Sequence, residues 1–323
     1  MNIRFFIGPM SKNVVDAILE FTSETDNSIG LIPSRRQVEF DGGYVNNWTT
    51  KQFKQYTKNI FLVRDHGGPG QGLYDDDGFE SLKQDCELLD MIHLDPWKKY
   101  PSLEEGTKWT IEMIRFCLSN NSNVLFEVGT EESIRRFEPH EVDIFLNSLK
   151  ENLHPEEYKR ILYCVIQSGT SLKENKNTGQ YDSERLKKMI SVVKSYGLLT
   201  KEHNGDYLPT NLIKEKFSLG LDSINIAPEF GQIETKTYMQ IIKEKHPELL
   251  NVYWKICYDS GRWKKWVDEE FNPFEQKEEL VNICGHYVLS SDEFIQNVKN
   301  KLEDVDGLIK TNVKTKLKEL FHG

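Results

Sequence analysis

Eight short apolar runs, separated by stretches with a helical pattern, follow one another along the first 228 residues of the chain. They begin roughly every 25–38 residues, about the length of one β-strand plus one helix. Most are apolar throughout rather than alternating, as is typical of parallel strands covered on both faces. Eight such units predict a closed (β/α)8 barrel, the TIM-barrel fold, whose usual size is about 250 residues. The runs are IRFFIG (3–8), IGLIP (29–33), IFLVR (60–64), MIHL (91–94), NVLFEV (123–128), ILYCVI (161–166), LLTKEH (198–203) and SINIAP (223–228).

An open, doubly wound sheet is the alternative to a closed barrel. Against it, the turn after the first run, IGPMSK, lacks the GxGxxG phosphate-binding pattern, and the sequence contains no Walker A motif. After about residue 245 the pattern is helical. We therefore predict a barrel over residues 1–246 and a helical C-terminal extension over 247–323 that packs on it or takes part in oligomer contacts.

Two segments outside the predicted strands are of interest. The polar connector KENKNTGQYD (173–182), after the sixth run, is expected to be a mobile lid over a functional site. The tryptophan-rich segment YWKICYDSGRWKKWV (253–267) has helical spacing, which predicts packing tryptophans with solvated lysines between them.

The composition is that of an ordinary globular protein, with 38% hydrophobic and 28% charged residues. A formal charge of −10 argues against nucleic acid or an anionic membrane as the main partner, although it leaves room for a small basic pocket. No apolar run approaches the ~18–20 residues that span a membrane, and we expect no signal peptide. Five widely spaced cysteines without a CxxC pair are typical of reduced thiols, which favours a cytoplasmic protein.

Reactive side chains concentrate where the predicted strands end, and the active sites of such barrels are built at that edge. His66 follows the third run and His203 ends the seventh; as neutral imidazoles, both can bind Zn²⁺ or another divalent metal. Glu127, near the end of the fifth run, could complete such a site. For each histidine taken alone, a hydrogen-bonded loop histidine is the alternative interpretation.

Carboxylates beside the histidines are candidates for catalysis. Asp65 precedes His66 in LVRDHGGPGQG (62–72), where the glycines leave room for a substrate. It could move a hydroxyl proton as a general acid or base, or only support a neighbouring ligand. His93 and Asp95, two residues apart, face one side of a strand and could position substrate hydroxyls or form a polar layer in the core.

Segments after the second, sixth and seventh runs could bind phosphate. The last two are small and contain glycine, so their backbone N–H groups could cradle an anion. After the second run, Arg35 or Arg36 could clamp a second phosphate or a carboxylate, although two adjacent arginines of a regular strand cannot both face the site. The predicted substrate- and phosphate-binding residues are Ser34, Arg35, Gln37, Ser168, Gly169, Thr170, Asn204 and Gly205.

Six segments, in this order, resemble a known family. They are IPSRRQVEFDGGYVNNWTTKQF, VRDHGGPGQG, IHLDPWKKY, FEVGTEE, VIQSGT and KEHNGDYLPT. They are similar to the non-catalytic (accessory) subunits of bacterial class II tagatose-bisphosphate aldolases, TIM barrels within the superfamily of zinc-dependent class II aldolases. DHGGP stands here for the family's DHLGP, and HNGDY for its HSTDY form.

The resemblance to the catalytic members of that superfamily implies roles for several residues. Asp65 would be the catalytic acid or base, and His66 and His203 would be zinc ligands. Asn225, in the stretch NIAPE, would contact an enediolate.

One departure from the superfamily pattern concerns the metal. The histidine expected after the sixth strand is replaced by Ser168, so Glu127 or Gln167 would have to supply the third ligand, or the metal would be weakly held or absent. We predict a metal-dependent aldolase that acts on a ketose phosphate, such as a tagatose phosphate, through a metal-stabilised enediolate. The alternatives are a C4 epimerase that works by retro-aldol cleavage and a non-catalytic subunit that stabilises a partner aldolase. The expected partners are a sugar phosphate and either a second copy of the chain or an aldolase subunit.

Overall fold

Eight parallel strands close into a barrel in the computed structural model, which describes residues 3–173 and 176–322. Each predicted apolar run overlaps one barrel strand, so the predicted fold is confirmed. The order around the barrel follows the chain, and the first and last barrel strands pair with each other. The strands are β1 (Phe5–Ile7), β2 (Ile29–Leu31), β3 (Phe61–Gly67), β4 (Met91–Leu94), β5 (Leu125–Val128), β6 (Ile161–Ile166), β9 (Leu199–Glu202) and β10 (Ser223–Ile226).

Helices surround the barrel and bury their apolar faces against it. In α1, Val14, Ile18 and Phe21 recur at helical spacing and are buried, and the Ser11 side chain caps the first turn by accepting from the Val14 N–H at 3.0 Å. The helices up to the end of the barrel are α1 (Lys12–Glu24), α2 (Thr50–Thr57), α3 (Phe79–Leu88), α4 (Leu103–Asn120), α5 (Pro139–Asn152), α6 (Pro155–Tyr158), α7 (Ser183–Ser195), α8 (Thr210–Ser218) and α9 (Pro228–Lys245).

The chain beyond α9 is helical and packs on the barrel. The long helix α13 lies against α1 and α9, and Phe321 contacts Phe5 of β1 with ring centroids 5.0 Å apart. A 3-10 turn, Arg262–Lys265, follows α10 and leads back towards the open end of the barrel. The helices of this extension are α10 (Leu249–Asp259), α11 (Lys277–Cys284), α12 (Asp292–Asn297) and α13 (Val305–His322). The division at residue 246 stays a prediction.

The segment predicted as a lid contains a short antiparallel hairpin, β7 (Leu172–Lys173) and β8 (Lys176–Asn177). Residues 174 and 175 lie outside the described part of the chain, and the movement of this segment stays a prediction. All five cysteines are buried and free. Among the described helices, none is long and apolar enough to cross a membrane. A cytoplasmic location stays a prediction.

A buried ion pair outside the barrel fixes the segment that follows β2. Arg64 and Asp85 are fully buried, and their two hydrogen bonds, Nη2 to Oδ1 and Nε to Oδ2, measure 2.6 and 2.7 Å. Arg64 Nη1 also donates to the carbonyl oxygens of Pro33 and Val38 at 3.0 and 2.7 Å. One guanidinium on β3 thus ties α3 to the loop after β2, which contributes to the open end of the barrel.

We expect Asp85→Ala to lower the free energy of unfolding by about 3–5 kcal/mol, because it leaves the Arg64 guanidinium buried without its counterion. Urea unfolding followed by circular dichroism measures this change. The matched control is Asp259→Ala, which removes the exposed partner of Lys255 and should cost at most about 1 kcal/mol. Equal losses in the two variants would contradict a structural role for the Arg64–Asp85 pair.

Candidate active site

A cavity of about 310 Å³ opens at the carboxyl ends of the barrel strands. The ends of β2, β3, β9 and β10 line it, together with the C-terminal extension. Asp65, His66, His203 and Asn225 all lie in its wall. The edge on which the sequence places the reactive residues is therefore a concave site large enough for a small molecule.

Asp65 and His66 are consecutive residues of β3, yet both line the cavity. A regular strand would send them to opposite faces. His66 has a φ of +50°, in the left-handed region, and the register between β3 and β4 shifts between Arg64 and Gly67. Such an irregularity changes the direction of side chains, and here it brings an adjacent carboxylate and imidazole into one site.

Asp95 holds the His66 imidazole from behind. His66 Nδ1 lies 2.6 Å from Asp95 Oδ2, and because a carboxylate only accepts, Nδ1 carries the proton. Asp95 is fully buried and also accepts from Thr130 Oγ1 at 3.1 Å and from the Trp97 N–H at 3.2 Å. The sequence suggests Asp95 as a catalytic residue, whereas the structure places it outside the cavity, where it positions His66.

Glu127 holds His203 in the same way. His203 Nε2 lies 2.7 Å from Glu127 Oε1, and the other oxygen, Oε2, accepts from Lys201 Nζ at 2.6 Å. Lys201 is fully buried inside the barrel, with its ammonium 3.8 Å from the ring centroid of Phe6. This arrangement makes Nε2 the protonated nitrogen of His203 and leaves the lone pair on Nδ1.

Neither predicted substitute for the missing third ligand is free to bind a metal. Both oxygens of Glu127 are engaged by Lys201 and His203, so Glu127 supports a candidate ligand instead of being one. Gln167 donates to the carbonyl oxygens of Thr130 and Arg135 at 2.9 and 2.8 Å. Its side chain is therefore used in holding the loop after β5.

His93 is the third imidazole of the cluster. Its ring centroid lies 4.9 Å from that of His66 and 4.9 Å from that of His203. His93 Nε2 contacts the Gly129 carbonyl oxygen at 2.9 Å, so it carries the proton, and Nδ1 accepts the His66 backbone N–H at 3.2 Å. Sequence reasoning placed His93 in a pair with Asp95 and did not bring it to the other two histidines.

An unpartnered carboxylate oxygen lies among these rings. Asp65 Oδ1 is buried and has no hydrogen-bond partner among the described residues. It is 3.8 Å from His66 Nε2 and 3.9 Å from His203 Nδ1, the ring nitrogens that do not bond to Asp95 and Glu127. One ligand atom from each of Asp65, His66, His93 and His203 lies within 4.8 Å of the others. Imidazole nitrogens around a buried carboxylate oxygen, with two of the rings oriented by a second carboxylate and the third by a backbone carbonyl, are a donor set that suits a divalent metal such as zinc.

The charges of the cluster shift its pKa values in opposite directions. Burial lowers the pKa of His66, but the Asp65 and Asp95 carboxylates outweigh burial and raise it to about 10. Burial lowers the pKa of His93 to about 4, helped by the neighbouring imidazoles. Burial would raise the pKa of Glu127, yet Lys201 and His203 hold it well below its usual range. Without metal, His66 is thus protonated at neutral pH, and His93 is neutral.

Half of the predicted substrate-binding residues reach the cavity wall or its edge. Ser34, Gln37 and Asn204 line the cavity, and Gly205 lies beside it, with its N–H bonded to the Asn225 carbonyl oxygen at 2.9 Å. Asn225 Oδ1 is buried and, within the described residues, lacks a hydrogen-bond partner, as Asp65 Oδ1 does. An orphaned acceptor aimed into a cavity is suited to a hydroxyl of a ligand.

The predicted phosphate cradle after β6 is not brought to the cavity. The hydroxyl of Ser168 bonds to Glu202 and accepts from Lys216 Nζ at 2.7 Å, and the Thr170 hydroxyl donates to Glu202 at 3.0 Å. Gly169, between them, lies outside the cavity wall as well. These side chains surround a buried ion pair between Glu202 and Lys216 and are therefore not free for a ligand.

Arg35 also lies outside the cavity. It is 3% exposed, forms ion pairs with Glu39 and Asp76 at 2.5 and 2.6 Å, and donates to the Gly68 carbonyl oxygen at 3.0 Å. It therefore anchors the glycine-rich loop after β3. Its neighbour Arg36 lines the cavity instead, so only one of the two adjacent arginines faces the site.

Several cavity residues have no counterpart among the predicted ones. Asp206 is buried, and burial together with Glu229 raises its pKa to about 8. Lys265 and Trp266 come from the segment interpreted as packing with solvated lysines, and they line the cavity. Asp206 lies in the segment KEHNGDYLPT at a predicted strand end, so the sequence did offer a signal for it. For Lys265 and Trp266 it offered none, because no spacing pattern in the sequence relates the C-terminal extension to the barrel.

The fold and this cluster can be compared with those of known proteins. No protein-family model matches the sequence, and no curated protein matches it. Solved structures do share its fold. A probable tagatose 6-phosphate kinase from Sinorhizobium meliloti 1021 has a TM-score of 0.75 at 16% identity, over 98% of this chain and 99% of that one.

Two further solved structures share the fold of this chain. The YdjI aldolase from Escherichia coli K12 has a TM-score of 0.59 at 13% identity, over 99% of this chain and 92% of that one. The glycerol-complexed fructuronate-tagaturonate epimerase UxaE from Cohnella laeviribosi has a TM-score of 0.64 at 12% identity, over 99% of this chain and 81% of that one. At these identities the likeness is one of fold, and it is the fold that the family resemblance implies.

We expect His66 to remain protonated in the metal-free protein at neutral pH, while His93 is neutral with its proton on Nε2. Because the folded-state pKa of His66 is raised to about 10, its contribution to stability is complete below about pH 6.5 and is lost as the pH rises through 10. Histidine side-chain ¹H–¹⁵N correlation spectra between pH 5 and 10 measure both states. A His66 that titrates near its ordinary pKa would contradict the geometry.

Proposed function

We propose that this chain is a metal-dependent enzyme that carries out aldol or retro-aldol chemistry on a ketose phosphate, as a relative of the class II tagatose-bisphosphate aldolases. The observation that carries the proposal is the convergence of two oriented imidazoles, His66 and His203, on the unpartnered oxygen of Asp65. These groups lie in the wall of a cavity at the active edge of the barrel.

The metal would be held by His66 Nε2 and His203 Nδ1, with His93 Nδ1 as the third nitrogen. His93 would thus replace the third histidine ligand that the family resemblance leads one to expect after β6. To bind the ion, His93 Nδ1 would give up the hydrogen bond that it accepts from the His66 backbone N–H. A divalent ion there supplies positive charge that polarises a carbonyl and stabilises the negative charge that develops beside it.

The side chains of the chain itself move the proton and hold the sugar. In the cleavage direction, Asp65 takes the proton of the C4 hydroxyl, the C3–C4 bond breaks, and C4 becomes the aldehyde carbon. The bonding electron pair remains on the C3 fragment, next to its carbonyl at C2. Asn225 Oδ1, which lacks a partner among the described residues, accepts from a hydroxyl of the substrate.

The same groups would serve a C4 epimerase, in which the aldehyde rotates and adds back. The fold shared with an epimerase of sugar acids supports this second candidate. The third candidate, a non-catalytic subunit of an aldolase, is supported by the serine at position 168 and by the resemblance of the six segments to the accessory-subunit family.

Metal analysis of the purified chain tests the proposal first. We expect about one zinc or other divalent ion per chain, and a loss of most of it in His66→Ala and in His203→Ala. The matched control is His140→Ala on α5, an exposed histidine far from the cluster in sequence and outside the cavity. Absence of a stoichiometric metal in the wild type after loading with zinc would overturn the proposal.

The supporting carboxylates give a second prediction. Asp95→Asn and Glu127→Gln should each weaken zinc affinity by about 10–100-fold, because each removes the charge that orients a ligand imidazole. Competition with a chromogenic chelator measures the affinity. Asp95→Asn keeps the volume of the side chain and leaves Lys201 paired, so a fold defect from an unpaired lysine cannot explain its effect. Unchanged affinity in both variants would show that these carboxylates do not support a metal site.

Product analysis distinguishes the three candidate functions. Zinc-loaded protein is incubated with dihydroxyacetone phosphate and small aldehydes for an aldolase, and with hexulose phosphates for an epimerase. We expect Asp65→Asn to retain metal and to lose about 10²–10⁴-fold in rate, since it cannot accept the hydroxyl proton. Absence of products from all mixtures, with metal bound, would favour the non-catalytic subunit.

A further inference from the structure

Three cationic side chains from distant parts of the sequence line the cavity beside Asp65 and His66. Arg36 follows β2, Lys98 follows β4, and Lys265 ends the 3-10 turn of the C-terminal extension. None of the three has a role in the cluster of imidazoles and carboxylates. Their convergence is a second chemical feature of the same cavity.

The glycine-rich loop after β3 holds two of these cations. Arg36 Nε donates to the Gly72 carbonyl oxygen at 3.1 Å, and Lys98 Nζ donates to the Gly70 carbonyl oxygen at 3.2 Å. Lys265 Nζ lies 4.2 Å from the ring centroid of Trp266. Each group is thus placed by a neutral partner, and most of the N–H donors of the three side chains stay available.

No carboxylate forms an ion pair with Arg36, Lys98 or Lys265 in the part of the chain that the structure describes. Glu131 also lines the cavity, and its charge and that of Asp95 act on these cations only from a greater distance. Partial burial lowers the pKa of Lys265 to about 8, and repulsion by Arg36, Arg262 and Lys98 adds to the effect. The chain carries 51 acidic residues, so a shortage of carboxylates does not explain three unpaired cations in one cavity.

We propose that Arg36, Lys98 and Lys265 bind the anionic end of the substrate, a phosphate ester or the carboxylate of a sugar acid. The proposal rests on the proposed function in one respect: the other end of the substrate, the part that reacts, would lie at Asp65 and the histidines. A guanidinium with two parallel donors and two ammonium groups match the oxygens of such an anion. The C-terminal extension is then part of the substrate site through Lys265, and the segment Ser168–Thr170 is not.

Calorimetric titration of the metal-free protein tests this binding without relying on catalysis. Three probes share one carbon skeleton: tagatose 6-phosphate, tagaturonate and neutral tagatose. We expect at least one of the charged sugars to bind at least tenfold more tightly than tagatose, and the tighter of the two identifies phosphate or carboxylate as the preferred anion. Equal binding of all three probes, or no binding of either anion, would overturn the proposal.

Single substitutions test which of these side chains contact the bound anion. Lys265→Gln and Lys98→Gln should each weaken binding of the preferred anion by about tenfold or more, the effect of losing one hydrogen bond to a charged group. The matched controls are Lys264→Gln and Lys99→Gln, neighbouring lysines that do not line the cavity, and these should bind as the wild type does. Full affinity in both Lys265→Gln and Lys98→Gln would overturn the proposal.

The two proposals fail in different ways. Anion binding that depends on Lys265, in a protein without metal or cleavage activity, would support the anion site and refute the lyase. Cleavage of a sugar phosphate with the same KM in both Lys265→Gln and Lys98→Gln as in the wild type would support the lyase and refute the anion site.

Discussion

Two buried carboxylate–imidazole hydrogen bonds determine the geometry on which the site depends. Asp95 accepts one ring N–H from His66 and Glu127 accepts one from His203, and these bonds decide which nitrogen of each ring is left to face a metal. Burying a carboxylate is costly unless its charge is compensated. Lys201 compensates Glu127 from inside the barrel, while hydroxyl, amide and imidazole donors compensate Asp95. The polar interior of the barrel is therefore a support for the histidines.

The barrel could be predicted from the sequence because its strands are continuous apolar runs at regular spacing, each matched by a helix. The position of His66 and His203 at strand ends followed from the same pattern. His93 could not be placed with them, because its relation to the other two depends on how neighbouring strands stagger around a closed sheet. The sequence placed Glu127 near the histidines correctly. That its two oxygens already bind Lys201 and His203, and are not free for a metal, is seen only in the structure.

Local deviations from regular strand geometry also escaped the sequence pattern. Alternation forbids Asp65 and His66 from sharing a face, and the left-handed backbone at His66 removes that restriction. In the turn after β2, only one of the two adjacent arginines faces the site: Arg35 is buried in ion pairs, and Arg36 lines the cavity. The glycines of LVRDHGGPGQG serve the site through their backbone, because their carbonyl oxygens hold Arg36 and Lys98.

The central claim is that three imidazoles around Asp65 form one metal centre although no histidine follows β6. X-ray absorption spectroscopy of the zinc-loaded protein tests it most directly, because outer-shell scattering counts imidazole ligands. We expect three imidazoles at about 2.0–2.1 Å from the zinc, and one fewer in His93→Gln. A zinc shell of oxygen atoms with one imidazole or none would contradict the account.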